Sequence, residues 1–262
     1  MSVLHHRMPF TVSHAAAVLP LRRLNLISSA VIIGSMAPDF PYVLGTENRS
    51  LGHDFPGLIW FTIPASLLAL WLFHNVIKRP VIGLLPSGMQ QRLRDQAGSF
   101  SFGGASRFLA IVGSVIVGIV THLVWDSFTH SETLPWRHIA WLREWKHVPG
   151  IGVIPACTVL QYASSIGGIL ALAIWIALWY RDTAHLAEAR PAHAAKSRFP
   201  LALAIFIVAG LVGILRAVLT VGTPITIYNV DPFLMRFAVT SIALAFWQLL
   251  LYCVLISSHQ VW

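Results

Sequence analysis

The chain has 262 residues, a formal net charge of +8 and a mean hydropathy of +0.71, with 56% hydrophobic and 11% charged residues. Runs of roughly 20 apolar residues exceed what a soluble core helix needs and exclude an ordinary soluble domain. The basic excess fits Lys- and Arg-rich cytoplasmic loops rather than nucleic-acid binding, and Cys157 and Cys253, in or near different spans, give neither a disulfide framework nor a thiolate metal site.

In chain order, residues 1–13 are short and polar-mixed, with no clear cleavable signal, so the first span is expected to serve as the targeting element. Residues 8–56 hold two apolar stretches too short to span alone, separated by Arg22, Arg23 and Asn25. Two arrangements fit: one imperfect sixth span, or a helical hairpin or re-entrant element. The hairpin is preferred, because two arginines in mid-membrane are costly. Its first helix would start near Pro9 and its second stop before Pro38, which puts His14 and Asp39 at one end.

Residues 57–256 read as a five-span bundle, with spans near Gly57–Ile77, Phe108–Phe128, Thr158–Tyr180, Phe199–Val221 and Leu234–Ile256. The expected fold is therefore an all-α, polytopic integral membrane bundle forming one domain over 1–262. Loop 78–107 carries five basic residues against Asp95, and loop 181–198 carries four against Asp182 and Glu188. These loops fall on one side, which the retention of Lys and Arg inside makes cytoplasmic. Loop 129–157 then faces outward. Its segment WRHIAWLREWKHV, from Trp136, suits a short helix lying in the outer interface. The Ala-rich patch at 184–195 reads as a solvated linker.

The chemistry concentrates in THLVWDSFTH at 121–130. His122, Asp126 and His130 are spaced four apart, so they share one helical stripe near the outer face. Imidazole and carboxylate together suit Zn²⁺, Mn²⁺ or Fe²⁺, and an ionisable residue inside a span is by default functional. The next span back begins just after His53 and Asp54, and the hairpin delivers His14 and Asp39 to the same side. Polar ligand-type residues from three segments thus converge there. Plainer readings stand beside this one: His122 and Asp126 as a hydrogen-bonded pair joining helices, Asp39 as a turn residue between prolines, and Asp54 as an N-cap. Arg216 and Arg236 lie toward the outer ends of their spans, where an arginine holds a phosphate or carboxylate or snorkels to the interface.

The segments MPFTVSHAAAVLPLRR, GSMAPDFPYVLG, HDFPGLIWF, WLFHNVIKRP with GLLP, and THLVWDSFTH resemble an uncharacterised bacterial multi-pass membrane family of the domain-of-unknown-function class. The likeness runs from about residue 8 through the third span and more loosely to the end. More distantly, the order His, Pro-Asp, His, then His-x-x-x-Asp is similar to the LexA-regulated, membrane-bound metal-dependent hydrolases. That likeness implies metal positions at His14, Asp39, His53, His122 and Asp126. Two positions depart from it: Asp54 follows His53, and no second acid stands two residues after Asp39.

The expected protein is a hydrolase of the bacterial cytoplasmic (inner) membrane, with a divalent metal (Zn, Mn or Fe) near the extracytoplasmic face and a phosphoester or lipid-linked substrate. His130 would be an outer ligand or an acid-base group, and Arg216 a charge clamp. One alternative is a non-catalytic membrane protein whose His/Asp cluster is structural. Another is an ion transporter, although transporters place ionisable residues near the bilayer midplane.

Overall fold

The computed structural model describes residues 11–44, 50–149, 152–188, 198–223 and 229–259. Pro9, His5, His6, His193, Arg190 and Lys196 lie outside them. Among the described residues the chain is helical apart from one small β-hairpin. A short helix, α1 (Ser28–Met36), precedes five helices long and apolar enough to cross a membrane: α2 (Phe55–Leu84), α3 (Ala105–Thr129), α4 (Ala156–Asp182), α5 (Phe199–Val221) and α6 (Val230–His259). Their outward faces are apolar, as on α5, where Phe206, Leu211, Leu215 and Leu219 are all exposed. A bilayer solvates such a surface and water does not.

The N-terminal region runs into the bundle and back. A 3₁₀ helix at Thr11–Val18 lies along α4, with Ser13 against Gly168 and Leu19 and Pro20 beside Trp175. The chain reverses around Pro20–Arg23. It returns as α1, alongside α3. The Ile27 N–H donates to Ser114 Oγ at 3.0 Å, Val31 lies against Gly118, and the Ser35 carbonyl reaches His122. His14 and Asp39 therefore sit at one end of the bundle, together with the last turn of α3. The basic segments 85–104 and 181–188 sit at the other.

Small residues make the α1–α3 seam. Lipid tails are as apolar as leucine, so helices in a membrane gain little from hydrophobic burial against each other and rely on close packing. Ala30 and Gly34 on α1, and Ser114 and Gly118 on α3, are each spaced four apart. A Cβ at Gly34 would strike the Val115 carbonyl, and one at Gly118 would strike the Val31 carbonyl. Around this seam Ala30, Leu70, Ile111, Val115 and Ile119 form a buried core.

α2 is locally widened into π-helical turns at Leu58–Thr62 and Phe73–Ile77. Pro64 and Pro80 follow them, and each lacks an N–H and crowds the carbonyl four residues back. A widened turn lets the backbone re-pair within the membrane.

The expected interfacial helix over Trp136–Val148 is not what forms. Two short helices, Leu134–His138 and Ala140–Arg143, lead into strand β1 (Trp145–Val148), which pairs antiparallel with β2 (Gly152–Pro155) in the register Trp145↔Pro155 to Val148↔Gly152. Val148, Val153 and Ile154 favour strand, and Pro149-Gly150 breaks any helix between them.

Candidate metal centre

His122 and Asp126 stand one turn apart near the end of α3, so both project to the same face. The other parts arrive from three local devices. The 3₁₀ helix Thr11–Val18 brings His14 in, 3% exposed, with its ring stacked on that of His122 at a centroid distance of 4.0 Å. The buried turn Ala37–Asp39 after α1 supplies Asp39. The one-turn helix Ser50–His53 packs so tightly that a Cβ at Gly52 would strike the Pro38 carbonyl. Only glycine admits that approach, and it sets His53 beside the cluster, its ring centroid 5.3 Å from that of His122.

The carboxylate of Asp126 is the hub. Its Oδ1 lies 3.5 Å from His14 Nε2, and its Oδ2 lies 3.3 Å from His53 Nε2, 3.5 Å from His122 Nε2 and 3.7 Å from His130 Nδ1. The Oδ1 of Asp39 is 3.7 Å from His122 Nε2. Two sets, His14/His122/Asp126 and Asp39/His53/His122, each offer one ligand atom per residue within 4.8 Å of the others.

These separations are long for hydrogen bonds. Two ligands, each about 2.1 Å from a tetrahedral ion, stand roughly 3.4 Å apart. The tautomer of His122 sharpens the point. Its Nδ1 is 2.9 Å from the Ser35 carbonyl, a partner that only accepts, so Nδ1 carries the proton. In the neutral ring Nε2 is then a bare lone pair. It is fully buried, has no hydrogen-bond partner, and faces oxygens of two carboxylates. A cation between them resolves that arrangement, so the residues present fit a divalent metal.

Supporting contacts follow the pattern of groups that orient metal ligands. The Thr11 hydroxyl donates to Asp39 Oδ2 at 2.8 Å, leaving Oδ1 turned inward. The imidazole of His130 is turned by its Nδ1 toward the Asp126 carbonyl at 3.1 Å and the Thr129 hydroxyl at 3.2 Å. His14 and Asp39 are both 3% exposed, so neither has bulk water as a partner.

The structure thus brings together His14, Asp39, His53, His122 and Asp126, with His130 at the edge. It does not bring Arg216 there. That side chain is exposed on α5 and donates to Thr240 Oγ1 at 3.2 Å, because its position on the helix faces α6 and lipid. Asp54 occupies the N-cap position before α2 with no side-chain capping bond. Outside the cluster, His74 bonds Ser29 at 3.0 Å and stacks on Phe100. Thr11 and the Ser35 carbonyl were not among the expected parts. Three-residue spacing from His14 on a 3₁₀ turn would have flagged Thr11. A backbone carbonyl leaves no mark in sequence.

An all-α, polytopic membrane protein with a buried His/Asp cluster at one end is the class these features define. Residues 8–254 match the model of a domain of unknown function, DUF4184, and the chain belongs to that family. No curated protein and no solved structure matches it.

Proposed function

We propose that the cluster holds one divalent metal ion and that the protein is a metal-dependent hydrolase of a bacterial cytoplasmic membrane. The observation that carries this reading is the buried His122 Nε2, which has no hydrogen-bond partner and lies between oxygens of Asp39 and Asp126 while Nδ1 is held by the Ser35 carbonyl. His14, Asp39, His53, His122 and Asp126 are the ligands. Loops 78–107 and 181–198 are cytoplasmic by their basic excess, which turns the cluster to the extracytoplasmic face. Such an ion, when bound, supplies a Lewis acid that activates water and polarises a phosphoester or lipid-linked group.

The chain's own residues do the rest. Asp126 gathers four imidazoles, Thr11 orients Asp39, and the Ser35 carbonyl holds Nδ1 of His122. His53 and His130, with side chains 10% and 8% exposed, form the more open rim. His130 is placed there to exchange a proton with a group arriving from that side.

The test is turnover of phosphoester and lipid-linked substrates by purified protein loaded with Zn²⁺, Mn²⁺ or Fe²⁺. The His122→Ala and Asp126→Ala variants are expected to lose both metal and turnover, and full metal retention in both sinks the reading. A structural metal is the second reading, favoured by the burial of four of the five ligands, since closed sites are usually structural. It predicts that losing the metal lowers stability and that the loaded protein hydrolyses nothing.

A further inference from the structure

We propose that the turn of the N-terminal hairpin is a binding site for an anionic phospholipid of the leaflet opposite the metal cluster. A cavity of about 410 Å³ is lined by Leu19, Pro20, Arg22, Arg23 and Trp175. Its depth follows from α4. At about 1.5 Å per residue, Trp175 lies roughly 28 Å from the Ala156 end of that helix and roughly 10 Å from its Asp182 end. The hairpin therefore carries its two arginines most of the way across the bundle, to the level where the opposite headgroups begin. Both side chains are exposed, and among the described residues neither has an acidic or hydrogen-bonding partner.

Two adjacent guanidinium groups at that depth are costly without an anion. Among the described residues the cavity offers none: its other walls are aliphatic, plus an indole. A phospholipid satisfies both halves at once. Its phosphate accepts forked hydrogen bonds from arginine. Its glycerol and upper acyl carbons lie against Leu19, Pro20 and the Trp175 ring, a residue type that favours headgroup level. The basic segments at the same end, including the exposed Arg94, add attraction for anionic rather than zwitterionic lipid. The cavity shares no residue with the metal cluster.

The experiment uses the full chain in nanodiscs of phosphatidylcholine with or without phosphatidylglycerol, with native mass spectrometry counting the lipids retained. Wild type is expected to retain phosphatidylglycerol over phosphatidylcholine. Arg22→Gln with Arg23→Gln lowers that retention roughly thirtyfold, at about 1 kcal/mol per basic residue near the surface. Millimolar inorganic phosphate leaves the bound lipid in place. Equal retention in the double variant, no preference in wild type, or displacement by free phosphate overturns the proposal. If the double variant fails to fold, Trp175→Leu decides: a severalfold loss supports the site and unchanged retention overturns it. Metal content read on the same samples stays at the wild-type value, so this result stands apart from the fate of the hydrolase reading.

Discussion

Two helix seams in this molecule are built alike and carry different things. Along α5 and α6, Gly213 admits Ser241 and the Phe237 carbonyl, and Arg216 donates across to Thr240. Along α1 and α3, Gly34 and Gly118 admit the Val115 and Val31 carbonyls, and the seam ends on the Ser35 carbonyl, His122, Asp39 and Asp126. Close approach through small residues is a general device for joining helices in lipid. What separates the two seams is the chemistry at their ends: one ends among lipid-facing side chains, the other on the buried imidazoles and carboxylates for which a cation is proposed.

The largest expected effect comes from removing the hub. Asp126→Ala should lower bound metal from about one ion per chain to near none, read by elemental mass spectrometry, because the groups around it then have no common anionic partner. Next, valine at either seam separates packing from site. Gly118→Val should cost about 1–3 kcal/mol or more and also release metal, since α1 carries Ser35 and leads into Asp39. Gly213→Val should lower the unfolding temperature in detergent and leave metal content unchanged. Metal loss in both would show that the seams are not independent. Thr11→Val removes one orienting hydroxyl and should weaken metal affinity about 10- to 100-fold, measured by chelator competition. Arg216→Gln should be smallest, leaving metal content at the wild-type value.

Reading from sequence succeeded where one physical rule dominates. Hydropathy alone places Phe199–Val221 as the helix that forms, because nothing in α5 competes with lipid exposure. For α2 and α4 the helices extend past the predicted apolar runs, since polar flanks do not by themselves end a helix. The His122 and Asp126 stripe was readable from i,i+4 spacing. Its neighbours His14, Asp39 and His53 were reachable only by reasoning about which side each segment faces. For Arg216 a rough depth does not say which face of α5 the side chain occupies; it turns to Thr240 on α6. The strands at Trp145–Val148 and Gly152–Pro155 were missed because three tryptophans among basic residues resemble an interfacial helix. The β-branched residues around Pro149-Gly150 carried the contrary signal. The 3₁₀ character of Thr11–Val18 has no simple periodic signature, and the widened turns of α2 are marked in sequence only by Pro64 and Pro80.

The central claim is that a cation belongs between His122 and the two aspartates. Its most direct test is metal content of the purified full chain beside the His122→Ala variant, measured in the same detergent preparation. About one divalent transition-metal ion per chain in the wild type, and almost none in the variant, is the predicted result. Metal-free wild type after purification in metal-supplemented medium, or equal metal in both proteins, would contradict it.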